Sequence, residues 1–316
     1  MNEDKGRYIN PFTDFGFKKI FGDDINKDLL IDFLNSLLYV TDKIVSLTYL
    51  KNEHLGKHDK DRKTIFDIYC ETDSKDTFIV EMQKAKQTYF KDRTLYYTTF
   101  PIQAQAKKDV RNSKDKSQNY TWDYQLKRVY SIAVMDFVFS DSTLEKVKHD
   151  VMLMDITDCT IFYDKLRLIY LEMPHFTKKI DDLETQEDRW LFVLKNLSRL
   201  DKIPDKLKDK IFTKLFETAD MTNYTPNLLT QYEDSLKDYR DLKNTIATYL
   251  AEGEAKGLAK GEAKGLAKGL AKGEAKGIKK IAINAIKKGF NDQIIQELTN
   301  LSLAEIEAIR KEIEMP

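Results

Sequence analysis

The chain has 316 residues, which is too long for one small core, and its 41% apolar and 11% aromatic content excludes a disordered chain. Its 52 basic and 52 acidic residues cancel, so no global positive charge indicates nucleic-acid binding. Two cysteines, Cys70 and Cys159, are too few for a disulfide scaffold, and no apolar run approaches the ~20 residues that span a bilayer. The N-terminal segment lacks the apolar stretch of a signal peptide, so we expect a soluble, cytoplasmic protein without a membrane segment.

Helical and strand patterns alternate through the first 140 residues. Apolar residues three or four apart predict helices, and alternating or short continuous apolar runs predict strands. The predicted elements are, in order, a short helix ending at Gly22, a helix at 28–38, strands at 44–50, 65–72 and 77–82, a helix from Phe90 to about Lys108 that Pro101 starts, ends or kinks, and a strand at 129–139. The polar cluster at 73–76 predicts a hairpin between the second and third strands.

The second half of the chain reads as mostly helical. The predicted elements are a strand at 166–173, helices at 188–200, 205–218 and 233–250, a glycine-repeat segment at 251–277, and three short helices at 278–316. Glycine recurs at every fourth position from Gly253 to Gly277, which is typical of either a self-associating helix or a semi-flexible spacer, and we favour the helix. Ser302 and Glu305 form a capping box that would open the last helix. The final module resembles a helix-turn-helix, but its acidic last helix favours a protein contact over DNA reading.

Three polar side chains stand out on the two strands of the predicted hairpin. Asp67 lies in the first of these strands, and Glu81 and Gln83 end the second, on one face because they are two residues apart. Two acids that converge on one face would repel each other without a cation, and Mg²⁺ takes one or two carboxylate oxygens while keeping water ligands. Gln83 would then orient water on the same face. The alternative is a pair of solvated hairpin acids.

Other acids and histidines are weaker candidates. Glu53 ends the preceding predicted strand and could add a ligand, although a solvated turn residue explains it equally well. His58, Asp59 and Asp61 look ligand-like, but we expect them to lie in an exposed loop.

Four sequence blocks in order carry a family resemblance: INPFTDFGFKKIFG, DRKTIFDIYCETD, FIVEMQKAKQ and RTLYY. Together they resemble the recombination-promoting nuclease and putative transposase branch of the PD-(D/E)XK nuclease superfamily, over roughly residues 8–200. The resemblance implies an α/β fold with a restriction-endonuclease-like mixed sheet flanked by helices, Mg²⁺ or Mn²⁺ as the cofactor, and DNA as the substrate. It places the metal-binding acids at Asp67 and Glu81 and the usual catalytic lysine at Gln83. Glutamine carries no charge, so it can only position water or substrate.

Basic residues follow the site closely. Between residues 84 and 118 the chain has nine basic residues against three acidic ones, and such a surface suits the DNA backbone. A solvated helix and charged loop would explain the same composition. The predicted DNA contacts are Lys84, Lys86, Gln87 and Arg93, with Lys18 and Lys19 as further candidates.

These patterns predict three parts of the chain: a nuclease-like domain at 1–250, with its core at 8–140 and an extension at 141–250, a repeat helix or linker at 251–277, and a small helical module at 278–316. We expect an Mg²⁺-dependent DNA endonuclease with little sequence specificity, because no helix of the nuclease-like domain has an obvious base-reading face. By resemblance it would act in recombination, mobile-element activity or defence against foreign DNA. The alternatives are a catalytically inactive scaffold that binds DNA or protein, and a strand-transferring transposase. A homo-oligomer formed through the repeat helix or the C-terminal module is also expected.

Overall fold

The structure of the chain, a computed structural model, describes residues 6–38, 43–50, 66–112, 124–140 and 145–314. It divides into two compact units, Met1–Asn244 and Thr245–Pro316. Within the described ranges there are six strands and eight α-helices. The strands are β1 Leu47–Tyr49, β2 Ile68–Thr72, β3 Thr77–Gln83, β4 Val129–Met135, β5 Lys148–Asp155 and β6 Thr160–Glu172. The helices are α1 Asp14–Phe21, α2 Lys27–Leu37, α3 Phe90–Asn112, α4 Gln186–Asn196, α5 Lys210–Ala219, α6 Pro226–Lys287, α7 Asp292–Thr299 and α8 Leu303–Glu314.

All six strands form one mixed sheet in the order β1-β2-β3-β4-β6-β5. The pairs β3–β4 and β4–β6 are parallel, and the other three pairs are antiparallel. The predicted order of helices, three strands, helix and strand is therefore confirmed, as is the α/β class with a mixed sheet flanked by helices. The hairpin predicted at 73–76 joins β2 to β3, where Lys75 adopts a left-handed conformation with φ of 70°.

Each face of the sheet packs against a different set of helices. On β3, Phe78, Val80 and Met82 point into the main hydrophobic core. This core also contains the apolar faces of α1, α2, α4 and α5, with Trp190 at its centre and fully buried. The intervening residues of β3 point to the opposite face, where Ile79 packs against Phe66 and Phe100 under α3.

The first helix is fixed by its N-terminal turn. Thr13 caps α1 by accepting a hydrogen bond from the backbone N–H of Gly16 at 2.9 Å. A Cβ on Gly16 would lie 2.1 Å from the carbonyl oxygen of Asn10, so only glycine fits this close approach. The helix ends at Phe21 with Gly22 as its C-cap, as the sequence predicted.

Several element boundaries differ from the predictions. Strands β1 and β2 are shorter than predicted and begin at Leu47 and Ile68, so Asp67 precedes β2 instead of lying within it. The carboxylate of Asp67 accepts the backbone N–H of Met82 at 2.9 Å, where a regular ladder would use a carbonyl of the neighbouring strand. The sequence analysis also missed β5 and the first half of β6. The reason is that their far ends are largely exposed and show no clean apolar alternation.

The second unit contains the C-terminal part of α6, then α7 and α8. The structure has the glycine repeat within α6, which continues to Lys287, and Gly289 follows with a φ of 78°. A small core of Ala282, Ala285, Ile295, Ile306 and Ile309 holds the three helices together. The predicted capping box is present, since Ser302 N donates to Glu305 at 2.8 Å and Glu305 N donates to Ser302 Oγ at 3.3 Å. No helix in the described part of the chain is both long enough and apolar enough to cross a membrane.

Candidate active site

The β2–β3 hairpin brings Asp67 and Glu81 together. Ile68 pairs with Val80 at the end of the antiparallel ladder, and Asp67 and Glu81 are the next residues on the two sides of the hairpin. The charge of Asp67 acts to raise the pKa of Glu81, so the two carboxylates lie at close range. The hydrogen bond from Met82 N to Asp67 Oδ2 then fixes the Asp67 carboxylate against the end of β3. The two acids named from the sequence are therefore neighbours.

Burial makes both carboxylates hard to ionise in the absence of a cation. It raises the pKa of Glu81 to about 7, where Arg93 acts to lower the pKa and Asp67 to raise it further. Burial also raises the pKa of Asp67 above its usual range, while the hydrogen bond from Met82 opposes this shift. The Glu81 side chain is only 13% exposed. A positive charge placed between the two groups would remove most of this penalty.

Gln83 lies on the same face as Glu81, next to the two acids. In the parallel ladder Glu81 pairs with Ala133 and Gln83 pairs with Met135. Both partners belong to the small apolar cluster that contains Phe90 of α3. The structure thus brings Asp67, Glu81 and Gln83 to one end of the hairpin, with Glu81 and Gln83 on the face covered by α3 and Asp67 held at the strand end by the backbone of Met82.

Arg93, in the first turn of α3, reaches into this group. Its Nη2 donates to Gln83 Oε1 at 2.5 Å and lies 3.5 Å from Glu81 Oε2, and its Nη1 donates to Gln87 Oε1. The guanidinium also lies over the rings of Phe90 and Tyr97, at 5.0 Å and 5.4 Å from their centroids. The sequence analysis named Arg93 and Gln87 as phosphate contacts but missed their mutual contact and the contact of Arg93 with Gln83.

The lysines named from the sequence have different surroundings. Lys18 and Lys84 both act to lower the pKa of Asp67, so both lie near the site. Lys18 is also paired with Asp14 at 3.0 Å, and Lys19 lies 3.9 Å from Asp23. Lys86 is exposed beyond the end of β3.

A cleft lies next to α1. Its volume is about 710 Å³, and it is lined by Asp14, Phe15, Lys18, Lys19, Gly22, Asp23, Asp24, Gln231 and Ser235. Two of these residues, Asp14 and Lys18, are also the α1 residues whose charges act on Asp67. The sequence analysis did not name Asp14, although it lies in the first of the four blocks. The predicted candidates Glu53, His58, Asp59 and Asp61 lie outside the described residues.

The chemistry of the two acids fits a hard divalent cation. Asp67 and Glu81 offer carboxylate oxygens, which suit Mg²⁺ or Mn²⁺. The described ranges contain no group of three or more His, Cys, Asp or Glu side chains arranged to hold a metal, so they offer no closed cage of the kind that structural zinc requires. Mg²⁺ does not need one, because it is bound through one or two carboxylates and retains water.

Comparison with protein families decides the class. The sequence model of the PD-(D/E)XK nuclease family transposases matches residues 11–249. The chain belongs to this family. The match includes the hairpin, α3 and the cleft beside α1, and it ends near the start of the glycine repeat. The mixed sheet flanked by helices is therefore a restriction-endonuclease-like fold, and the family supports a nuclease-like function. No curated protein and no solved structure matches the chain significantly.

Proposed function

We propose that this protein is a metal-dependent DNA endonuclease with little sequence specificity. The observation that carries the proposal is the pair of largely buried carboxylates, Asp67 and Glu81, which interact at one end of a hairpin in a chain of a nuclease family. Two such groups cost free energy to bury as charges, and a nuclease has a direct use for the cation that they would bind.

Each side chain of the site has a distinct role in this proposal. Asp67 and Glu81 hold Mg²⁺ or Mn²⁺ through their oxygens. A cation bound there would polarise a phosphoryl oxygen and lower the pKa of a water molecule. Gln83 positions water or substrate on the same face.

DNA binding rests on positive charge near the site. Lys18 and Lys84 are lysines whose charges reach Asp67, and they are proposed to contact the DNA backbone together with Lys19, Lys86 and Gln87, while Arg93 adds positive charge beside Glu81. Contacts of this kind hold the duplex without reading its sequence. The proposed setting is the cytoplasm, in recombination, mobile-element activity or defence, with self-association through the repeat helix or the C-terminal unit.

Nicking of supercoiled plasmid by the purified full-length chain tests the proposal. Wild type and Glu81→Gln are compared in Mg²⁺, in Mn²⁺ and in EDTA. Glu71→Gln is the matched control, because Glu71 is also a partly buried glutamate of this hairpin but pairs with Lys75 at the opposite end. We expect nicking by wild type and by Glu71→Gln in either metal, and none by Glu81→Gln or in EDTA.

Other outcomes would each replace the proposal with a different one. Cleavage that persists in EDTA or in Glu81→Gln would refute the metal role of this acid. Binding of DNA without cleavage in any metal would indicate an inactive scaffold, and joined products would indicate a strand-transferring transposase.

A further inference from the structure

We infer that Arg93 is a positioning residue that turns Gln83 into a hydrogen-bond donor toward the scissile phosphate. The inference rests on the proposed nuclease function. Of the two roles proposed for Gln83, positioning water or positioning substrate, it assigns the second. The observation behind it is the contact between Arg93 Nη2 and Gln83 Oε1 at 2.5 Å.

The chemistry of arginine fixes the orientation of the Gln83 amide. A guanidinium group has five donor hydrogens and no acceptor, whereas an amide has one oxygen that accepts and one NH₂ group that donates. Gln83 can therefore face Arg93 only with its oxygen. Its NH₂ group must point the other way.

That NH₂ group has little to bind within the domain. Among the described residues its hydrogen-bond partner is the carbonyl oxygen of Ala85, at 3.5 Å, the long limit for such a bond. At least one donor hydrogen therefore remains for an external acceptor beside Glu81. A phosphate oxygen is such an acceptor. A nucleophilic water is a poorer one, because a hydrogen bond donated to its oxygen withdraws electron density and makes the oxygen less nucleophilic.

Arg93 is itself held in place from several sides. Nη1 donates to Gln87, Glu81 lies 3.5 Å from Nη2, and the rings of Phe90 and Tyr97 pack against the guanidinium. Only 28% of the Arg93 side chain is exposed. A guanidinium anchored in this way orients its neighbour, and its charge reaches the phosphate through the amide of Gln83.

Two substitutions of Gln83 separate donating from accepting. Gln83→Glu keeps an oxygen for Arg93 but has no donor hydrogen when ionised, and Gln83→Met keeps the shape and lacks both. We expect both variants to lose roughly 100-fold in kcat, the usual effect of removing one hydrogen-bond donor from a transition state. If Gln83 instead accepts a hydrogen bond from the nucleophilic water, Gln83→Glu would retain or exceed wild-type kcat, and this result would overturn the inference.

Arg93→Met tests the positioning role. We expect it to lower kcat with little change in KM, and the Gln83→Met, Arg93→Met double variant to be no slower than the slower single variant, because both changes remove the same interaction. Multiplicative losses in kcat would overturn the inference.

Binding of a DNA duplex in Ca²⁺ supplies a readout that does not depend on turnover. A direct phosphate contact lowers the slope of log affinity against log salt by about one when it is removed, whereas a positioning residue leaves the slope unchanged. We expect no change for Arg93→Met, and a reduced slope for the exposed Lys86→Met, which is the comparison. A slope reduced by about one in Arg93→Met would overturn the inference.

If wild type cleaves no DNA in any metal, the proposed function fails and the inference fails with it. The contrary results named above for the Gln83 and Arg93 variants overturn the inference alone and leave the proposed function intact.

Discussion

The two faces of the central sheet differ in chemistry although the same strands build both. On β3, Phe78, Val80 and Met82 enter a core whose members are almost fully buried and apolar. On the other face Glu81 and Gln83 follow Ile79, and α3 adds a cation and aromatic rings above them. Strand alternation thus keeps a charged site within one residue of a dry core.

This difference assigns stability to one face and the proposed chemistry to the other. Pairing with β2 and β4 and packing of the core face hold the backbone of β3 in place. The polar side chains on the other face therefore project from a rigid strand. The polar face carries the buried acid Glu81, with the charge of Asp67 beside it, a cost typical of functional sites. Substitutions on the polar face should therefore lower cleavage more than stability, and substitutions on the core face should lower stability more than cleavage. The following variants test this separation.

The largest expected effect is that of Asp67→Asn on cleavage. Asparagine keeps an oxygen for the N–H of Met82 but loses the charge, so we expect a loss of about 10³-fold or more in kcat/KM with Mg²⁺, from several kcal/mol of lost cation-dependent stabilisation. The metal-free melting temperature should not fall, because a buried charge is removed. A large fall in melting temperature with normal cleavage would reverse the assignment of the two faces.

On the core face, Leu171→Ala should do the opposite. Leu171 is fully buried and pairs with Val134 in the centre of the sheet, so a cavity there should lower the free energy of unfolding by about 2–5 kcal/mol. Denaturant unfolding measures this loss, and kcat well below the melting temperature should stay within about threefold of wild type, since the change leaves the opposite face intact. Leu153→Ala, at a leucine that is 50% exposed, is the control and should change stability by less than about 0.5 kcal/mol.

A smaller effect should appear as pH dependence of stability without metal. The pKa of Glu81 is raised to about 7 from an ordinary value of 4.5, so the folded state binds its proton more tightly than the unfolded state does. The stability from this group is complete below about pH 4.5 and is lost as pH rises through 7, about 3 kcal/mol in total. Glu81→Gln should flatten the curve of unfolding free energy between pH 5 and 8 in EDTA. A curve that Glu81→Gln leaves unchanged would show that Glu81 is not the buried acid responsible.

Sequence alone was enough for the hairpin and for placing Glu81 and Gln83 at the end of its second strand. The spacing of two residues puts Glu81 and Gln83 on one face, and the polar cluster at 73–76 is the turn that joins β2 to β3. Local alternation and turn chemistry carry this information, so no tertiary contact was needed to predict it.

What the sequence could not reveal depends on contacts between distant elements. Strand β5 lies at the sheet edge with much of its length exposed, so its residues lack the apolar pattern of a buried strand. The contact between Arg93 and Gln83 depends on how α3 crosses the sheet, and Asp14 reaches Asp67 only through the packing of α1. None of these follows from spacing along the chain.

Isothermal titration calorimetry of Mn²⁺ binding to the metal-free chain tests most directly whether Asp67 and Glu81 share one cation. We predict one saturable Mn²⁺ site per chain in wild type, its loss in both Asp67→Asn and Glu81→Gln, and its retention in Glu71→Gln. Equal Mn²⁺ binding by wild type and both site variants would contradict the shared-cation site.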